Sequence, residues 1–198
     1  MTPSSDIAFT SAVKAIQARR GSRASYARME ERGGWATTVT PDLAAFIAAQ
    51  TSIFLATANA EGQPYIQHRG GPPGFLRVLD ERTLGFADLR GNRQYITLGN
   101  LAENPRAHLF LIDYAHRRRV KIWGRARVVE DDPALLERLR MPGDATPAEQ
   151  AILLDIEAWD ANCPQHIPQR FEAADVAAAL AARDRRIAEL EALLAARA

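Results

Sequence analysis

At 198 residues, 47% apolar and 25% charged, the chain has the make-up of one globular domain of ordinary size with appendages. Twenty-five basic against 24 acidic residues leave a net charge of +1, which excludes a global field for nucleic acid or an anionic membrane and makes any basic function local. A single cysteine, Cys163, excludes an intrachain disulfide framework, and no run approaches the ~20 apolar residues that span a bilayer, so a soluble cytoplasmic protein is expected.

Ser4-Ser5-Asp6 offers a helix N-cap, and Ile7, Phe9, Val13 and Ile16 give a loose apolar face that ends near Arg20-Gly21. Residues 21–36 are polar, basic and Gly-containing, and read as an extended loop anchored by Tyr26, Met29 and Trp35. Thr40-Pro41-Asp42 then starts a short helix carrying Leu43, Phe46 and Ile47, with Thr as N-cap and Pro at the first helical position. From Ser52 the apolar period falls to two. Residues 52–59 and 63–69 flank Ala60-Glu61-Gly62 as a hairpin, and Phe75 to Leu79 and Leu84 to Asp88 flank Asp80-Glu81-Arg82-Thr83 as another.

Gly91 to Asn104 reads as a helix with Ile96, Leu98 and Leu101 buried and Pro105 just beyond it. Ala107 to Asp113 is nearly all apolar and predicts a strand covered on both faces, while Val120 to Val129 alternates as a strand with one polar face. Asp132-Pro133 starts a helix with Leu135, Leu136 and Leu139, closed by Met141-Pro142-Gly143. Residues 149–159 fit a helix by propensity, but Ile152, Leu154 and Ile156 alternate, and a strand is predicted. The tail from Glu172 is Ala-rich, with Leu180, Ile187 and Leu194 seven apart and Val176 and Leu190 beside them. Such a narrow seam fits a helix pairing with a partner chain, the alternative being a solvated helix folded back on its own domain. Hairpins with helices at their junctions and no βαβ alternation give a mainly β (α+β) antiparallel barrel with capping helices. The organisation is residues 1–39 as N-terminal helix and loop, 40–171 as the barrel, and 172–198 as a C-terminal helix, a short coiled coil.

Three chemistries compete. Arg90-Gly91-Asn92-Arg93-Gln94 at a helix start places unpaired N–H groups, the positive end of the helix dipole and guanidinium together, and Arg69 and Arg77 can close on the same anion. The alternative there is a turn with solvated arginines. Arg117-Arg118-Arg119-Val120-Lys121 with Arg125 and Arg127 suggests a nucleic-acid surface, but only Tyr114 and Trp123 are available for base stacking, and a solvated hairpin turn fits better. Cys163 and His166 have metal spacing without a second pair, since His68, His108 and His116 are scattered; no metal site is expected, and Cys163-Pro164 reads as a turn that lays Gln165 and His166 against a pocket. His108, inside an apolar strand, reads as a satisfied core histidine and not a ligand.

Taken together, QHRGGPPGF (67–75), GFADLRGNRQY (85–95), GNLAEN (99–104), RRRVKIWGRA (117–126) and NCPQHI (162–167) resemble the pyridoxamine 5′-phosphate oxidase-like FMN-binding split β-barrel family, in its bacterial flavin-nucleotide-binding branch. The resemblance implies a homodimer with FMN between the subunits and a small-molecule electron donor and acceptor, but neither nucleic acid nor membrane as partner. By motif it implies that Arg77, Arg93 and Gln94 hold the phosphate, with Asn92 between the glycine and the arginine. Ala87 and Asp88 pass the flavin, and Arg119 reaches the isoalloxazine. Arg69, Phe75 and Leu76 face the same groove, and Asn162, Gln165 and His166 approach from the other subunit. The Trp and Arg-x-His elements that hold pyridoxal phosphate in the oxidases have no counterpart in EAWDANCPQHIPQRF, so the expected activity is an FMN-dependent oxidoreductase drawing on a donor such as NAD(P)H. The alternative is a non-catalytic module for flavin, haem or another tetrapyrrole.

Overall fold

The computed structural model describes residues 2–143, 147–162 and 164–196, the side chain of Asn162 excepted. These fall into two compact units, within Met1–Ile112 and Arg119–Cys163 for one and Asp113–Arg118 and Pro164–Ala198 for the other. The first is built on strands β1 (Ser52–Ala58), β2 (Pro64–Gly70), β3 (Arg77–Val78), β4 (Thr83–Leu89), β5 (Arg106–Asp113), β6 (Arg118–Val129) and β7 (Ala148–Asn162). Its helices are α1 (Ser11–Arg20), α2 (Arg23–Glu31), α3 (Pro41–Ala48), α4 (Ile96–Glu103) and α5 (Pro133–Leu139). The class is α+β.

The strands form one seven-stranded antiparallel sheet in the order β2-β1-β5-β6-β7-β4-β3. This corrects the barrel expectation: the order is linear, β2 and β3 are its two edges, and no described pairing joins them. The reason is local. A barrel closes only if its last strand offers a full ladder, and the strand expected over residues 75–79 shrinks to Arg77–Val78. Pro72 and Pro73 lack N–H donors, and Phe75 N–H closes a turn onto the Pro72 carbonyl at 3.0 Å. Phe75 and Leu76 then drop into the core at 7% and 1% exposure.

One face of the sheet packs with α3 and α4 into the main core, through Ile53, Leu55, Leu109, Leu111, Ile122, Ile156, Leu43 and Leu101. Thr40 caps α3 by accepting from Leu43 N–H at 3.2 Å, with Pro41 at the first helical position as the sequence predicts. A smaller cluster of Leu139, Ala151 and Leu153, joined by Leu135 and Leu136, puts α5 on the opposite face of β7. Burial on both faces is why residues 151–154 read as a continuous apolar run. Between Trp123 and Gly124 the β6–β7 register shifts. A Cβ at Gly124 would lie 2.2 Å from the Asp155 carbonyl oxygen, so only glycine allows that approach.

The N-terminal segment differs from its prediction. A 3-10 turn, Ser4–Ile7, precedes α1, and residues expected as an extended loop form α2. Charge explains this: Arg23 pairs with Glu30 across two turns of α2, and Lys14 on α1 meets Asp6 at 2.6 Å and Glu30 at 3.5 Å. Trp35 stacks on Trp123 of β6 at 4.7 Å between centroids, and Phe9 packs edge-on against Trp35 and Tyr26. His108 lies 4.8 Å from Trp123, its Nε2 buried without a partner among the described residues. Burial first, and Lys121 second, push its pKa down to about 4, so it is a neutral imidazole, but not the satisfied core histidine expected: it is half-buried on the face of β5 opposite Leu109 and Leu111.

In the second unit, Arg170 covers the Tyr114 ring at 4.6 Å and Gln169 Nε2 donates to the Ala115 carbonyl at 2.8 Å. Its helix α6 (Ala173–Ala195) has no buried residue. Among the described residues no helix is long and apolar enough to cross a membrane.

Candidate functional site

The first unit carries a polar hollow where β2, β4 and the start of α4 meet, lined among others by Tyr65, Gln67, Arg69, Asp88, Arg93 and Thr97. Strand alternation supplies the β2 side, because Tyr65, Gln67 and Arg69 share the half-buried face of β2 while the intervening residues are exposed. Gln67 Oε1 accepts from both Tyr65 Oη and Thr97 Oγ1 at 3.2 Å, tying β2 to α4. Asp88 at the end of β4 is 5% exposed. It accepts from Gln150 Nε2 of β7 at 2.7 Å and pairs with Arg69 Nη1 at 2.8 Å. Arg69 Nε is buried and unpartnered among the described residues.

The other wall is irregular where a helix was predicted. Helix α4 begins only at Ile96, because Arg93 and Tyr95 sit at φ 60° and 54°, in the left-handed region that non-glycine residues rarely occupy. The Asn92 carboxamide oxygen accepts from Gln94 N–H at 3.2 Å and stabilises that bend. Arg93 Nε donates to Tyr95 Oη at 3.2 Å, and Tyr95 Oη donates to Glu149 at 3.3 Å. Arg90 Nε lies 3.4 Å from the same carboxylate. Tyr95 provides no side-chain cap, so the leading N–H groups of α4, which have no intrahelical acceptor, receive no capping oxygen from it. Three arginines, 69, 90 and 93, against Asp88 and Glu149 leave one surplus positive charge beside an uncapped helix start.

The hollow thus gathers Arg69, Asp88, Asn92, Arg93 and Gln94, with Ala87 next to Asp88 on β4 and packed in the smaller cluster. Other predicted residues lie elsewhere. Arg77 lines a separate groove with Leu76 and Arg138, its Nη2 3.7 Å from Met141 Sδ, and so does not converge with Arg69 and Arg93. Phe75 and Leu76 are core residues, which leaves mainly their backbone for any ligand. Arg119 pairs in register with Asn162 near one end of β7, whereas Asp88 pairs with Gln150 near the other. Twelve residues, about 40 Å of extended strand, separate the two positions. Gln165 and His166 belong to the second unit and are exposed, His166 at φ 66°. Cys163 lies outside the described residues, and among those described no group of three or more His, Cys, Asp or Glu is placed to hold a metal.

Gln67, Thr97, Glu149 and Gln150 are the residues sequence reasoning passed over. Gln67 was within reach, two positions from Arg69 on a strand. Glu149 and Gln150 join the site only through the pairing of β7 with β4, which no local pattern announces. The cavity holds about 40 Å³. That suits a small anionic group, while pockets enclosing a drug-sized ligand measure about 300–1,000 Å³.

Among solved structures the chain is similar to HupZ of Group A Streptococcus, at 18% identity over 67% of this chain and 99% of that one, TM-score 0.50. A variant of the same protein gives 17% identity over 63% and 99%, TM-score 0.50. An FMN-binding protein from Syntrophomonas wolfei is 10% identical over 74% and 97%, TM-score 0.47. At such identities the likeness to HupZ is one of fold. No curated protein matches the chain significantly. Residues 39–163, more than half of the sequence, match the pyridoxamine 5′-phosphate oxidase family, and the chain belongs to it.

Proposed function

We propose that the chain is an FMN-binding flavoprotein that works as a homodimer and passes electrons or hydride from NAD(P)H or a similar donor to a small-molecule acceptor. The observation that carries this reading is the hollow, where Arg93 and the orphaned Nε of Arg69 stand beside the uncapped start of α4. A buried donor without a partner is a standing cost that a phosphate oxygen removes. Arg69 is half-committed to Asp88, so Arg93 and the α4 backbone provide the free charge and donors. Gln94 and Asn92 shape the bend that presents them.

Bound FMN supplies the hydride chemistry, and the chain supplies anchoring and electrostatics. The cavity suits a phosphate but is too small for a three-ring flavin, which favours a ring lying against a second copy. Arg119, Asn162, Gln165 and His166 are then candidates to meet the ring from that copy.

The test is a visible spectrum of the purified protein, identification of any released chromophore, and an FMN titration of wild type and Arg93→Ala. Flavin bands, FMN rather than FAD on release, and roughly tenfold weaker uptake by the variant are expected for one lost charge-assisted phosphate contact. A colourless protein that fails to take up FMN refutes the reading, and a Soret band replaces it with a tetrapyrrole module. Reduction by NADH or NADPH with reoxidation at a catalytic rate separates an enzyme from a storage module.

A further inference from the structure

Helix α6 is a 23-residue helix without a buried residue, yet it carries Val176, Leu180, Ile187, Leu190 and Leu194 at 43–68% exposure. Set in heptads, Leu180, Ile187 and Leu194 occupy successive a positions, and Val176, Arg183 and Leu190 the d positions. The flanking charges then have a definite arrangement. Asp184 and Glu191 fall at e, and Arg186 falls at g.

We infer that α6 pairs with α6 of a second copy as a parallel, in-register two-stranded coiled coil. In a parallel pair a g residue faces the e residue five positions on in the partner, which sets Arg186 against Glu191 of the second copy, twice by symmetry. A d residue packs against the partner's d residue and beside its e residue, so Arg183, the one charge in the seam, lies across the axis from Arg183 of the second copy, each flanked by the other copy's Asp184. Arg186 and Glu191 gain opposite partners, and Asp184 flanks the Arg183 layer, so the one like-charge layer in the seam is compensated from both sides. The antiparallel alternative that matches Leu180 with Leu190 brings g toward g and e toward e, setting Arg186 near Arg186 and Asp184 near Asp184. In the single chain Arg186 bonds Glu189 at 2.8 Å, both side chains more than 60% exposed. Such a solvated pair is weak enough to exchange. Arg183 selects register and orientation at the expense of strength, as a buried polar residue does in other zippers. The inference rests on α6 alone and holds whether or not the chain binds flavin.

The test uses the full-length chain with Cys163→Ser and single cysteines introduced in α6, oxidised mildly and read on a non-reducing gel. Leu190→Cys and Ile187→Cys should self-link at least fivefold faster than Glu189→Cys, which faces outward, because only seam positions bring two Cα atoms within disulfide range. Adding Arg186→Glu to Leu190→Cys should slow linking several-fold at low salt, and adding Glu191→Arg as well should restore it. Equal rates at 187, 189 and 190, or no linking, overturn the pairing. Linking between Leu180→Cys and Leu190→Cys chains without self-linking overturns the parallel orientation, and failure of the charge swap to restore linking overturns the register. These positions are solvent-exposed, so a folding defect does not enter, and flavin content is read separately.

Discussion

Removing the Asp88 carboxylate probes the site and the fold at once. Its side chain is 6% exposed and that of Arg69 is 17%, so little solvent screens their 2.8 Å pair. Taking away one member of a buried pair leaves the other charge uncompensated, a loss of about 3–5 kcal/mol. Gln150 loses its acceptor too, which alone costs about 1–3 kcal/mol. The two losses fall in one network and overlap, so Asp88→Ala should cost about 4 kcal/mol. With a urea slope of roughly 2 kcal/mol per molar, the midpoint should fall by about 2 M. Trp35, Trp123 and Trp159 all sit in the same unit and report its unfolding by fluorescence. Asp88→Asn keeps an acceptor for Gln150 and should lose less. Replacing both charges, Arg69→Met with Asp88→Leu, should recover the share lost to the orphaned Arg69 charge, because that cost lies in the orphan and not in the pair, while Gln150 still lacks its acceptor. A midpoint shift below about 0.5 M for Asp88→Ala, or a double variant no better than the single, refutes this account.

Gly124→Ala must push β7 away, because its Cβ would sit 2.2 Å from the Asp155 carbonyl oxygen; a loss of about 2 kcal/mol or more is expected in the same urea assay, and an unchanged midpoint contradicts the bulge. His108 has a folded pKa of about 4, below its ordinary 6.5. Its neutral form is favoured by folding, so its share of stability is full above pH 6.5, falls as the unfolded chain takes up a proton, and is gone below about 4. His108→Phe should therefore flatten stability against pH between those limits while leaving the Trp123 packing in place, and a wild-type slope in the variant argues against a buried neutral imidazole.

The fold was legible where one rule dominated. Thr40-Pro41 and Asp132-Pro133 start helices because a capping oxygen followed by proline leaves the chain few other options, and both caps form. The β1–β2 hairpin and the long β6 follow from strict alternation. Helix α2 was missed because its stability comes from Arg23, Glu30 and Lys14 pairing across helices, a contact invisible in a polar stretch bounded by glycines. The barrel was over-read for the same kind of reason. Alternation counts strands but does not say whether the last one is long enough to close the sheet, and the segment over 75–79 keeps only Arg77–Val78 as strand. In the site, the grouping of Arg69 with Arg93 in one hollow was legible, whereas the position of Arg77 in a different groove was not, since a loop of prolines and glycines stands between it and Arg69.

The separation along β7 makes the proposed two-subunit site testable. If Arg93 and Arg119 act on one flavin, the twelve residues of β7 between the positions paired with Asp88 and Arg119, at most about 40 Å of strand, favour a site shared between two copies. Consider Arg93→Ala and Arg119→Gln chains mixed after unfolding and refolding together. In a two-fold dimer with shared sites, each mixed dimer has one site with both substitutions and one with neither, so about a quarter of all sites should regain wild-type FMN affinity. Were both residues drawn from one chain, every site would carry one substitution and no tight fraction would emerge. A titration of the mixture showing no such phase, with each parent weakened on its own, would leave the hollow as a phosphate seat and remove Arg119 from the flavin. Recovery of the quarter would tie both ends of β7 to one cofactor, and would explain why the cavity of a lone chain has room for little more than an anion.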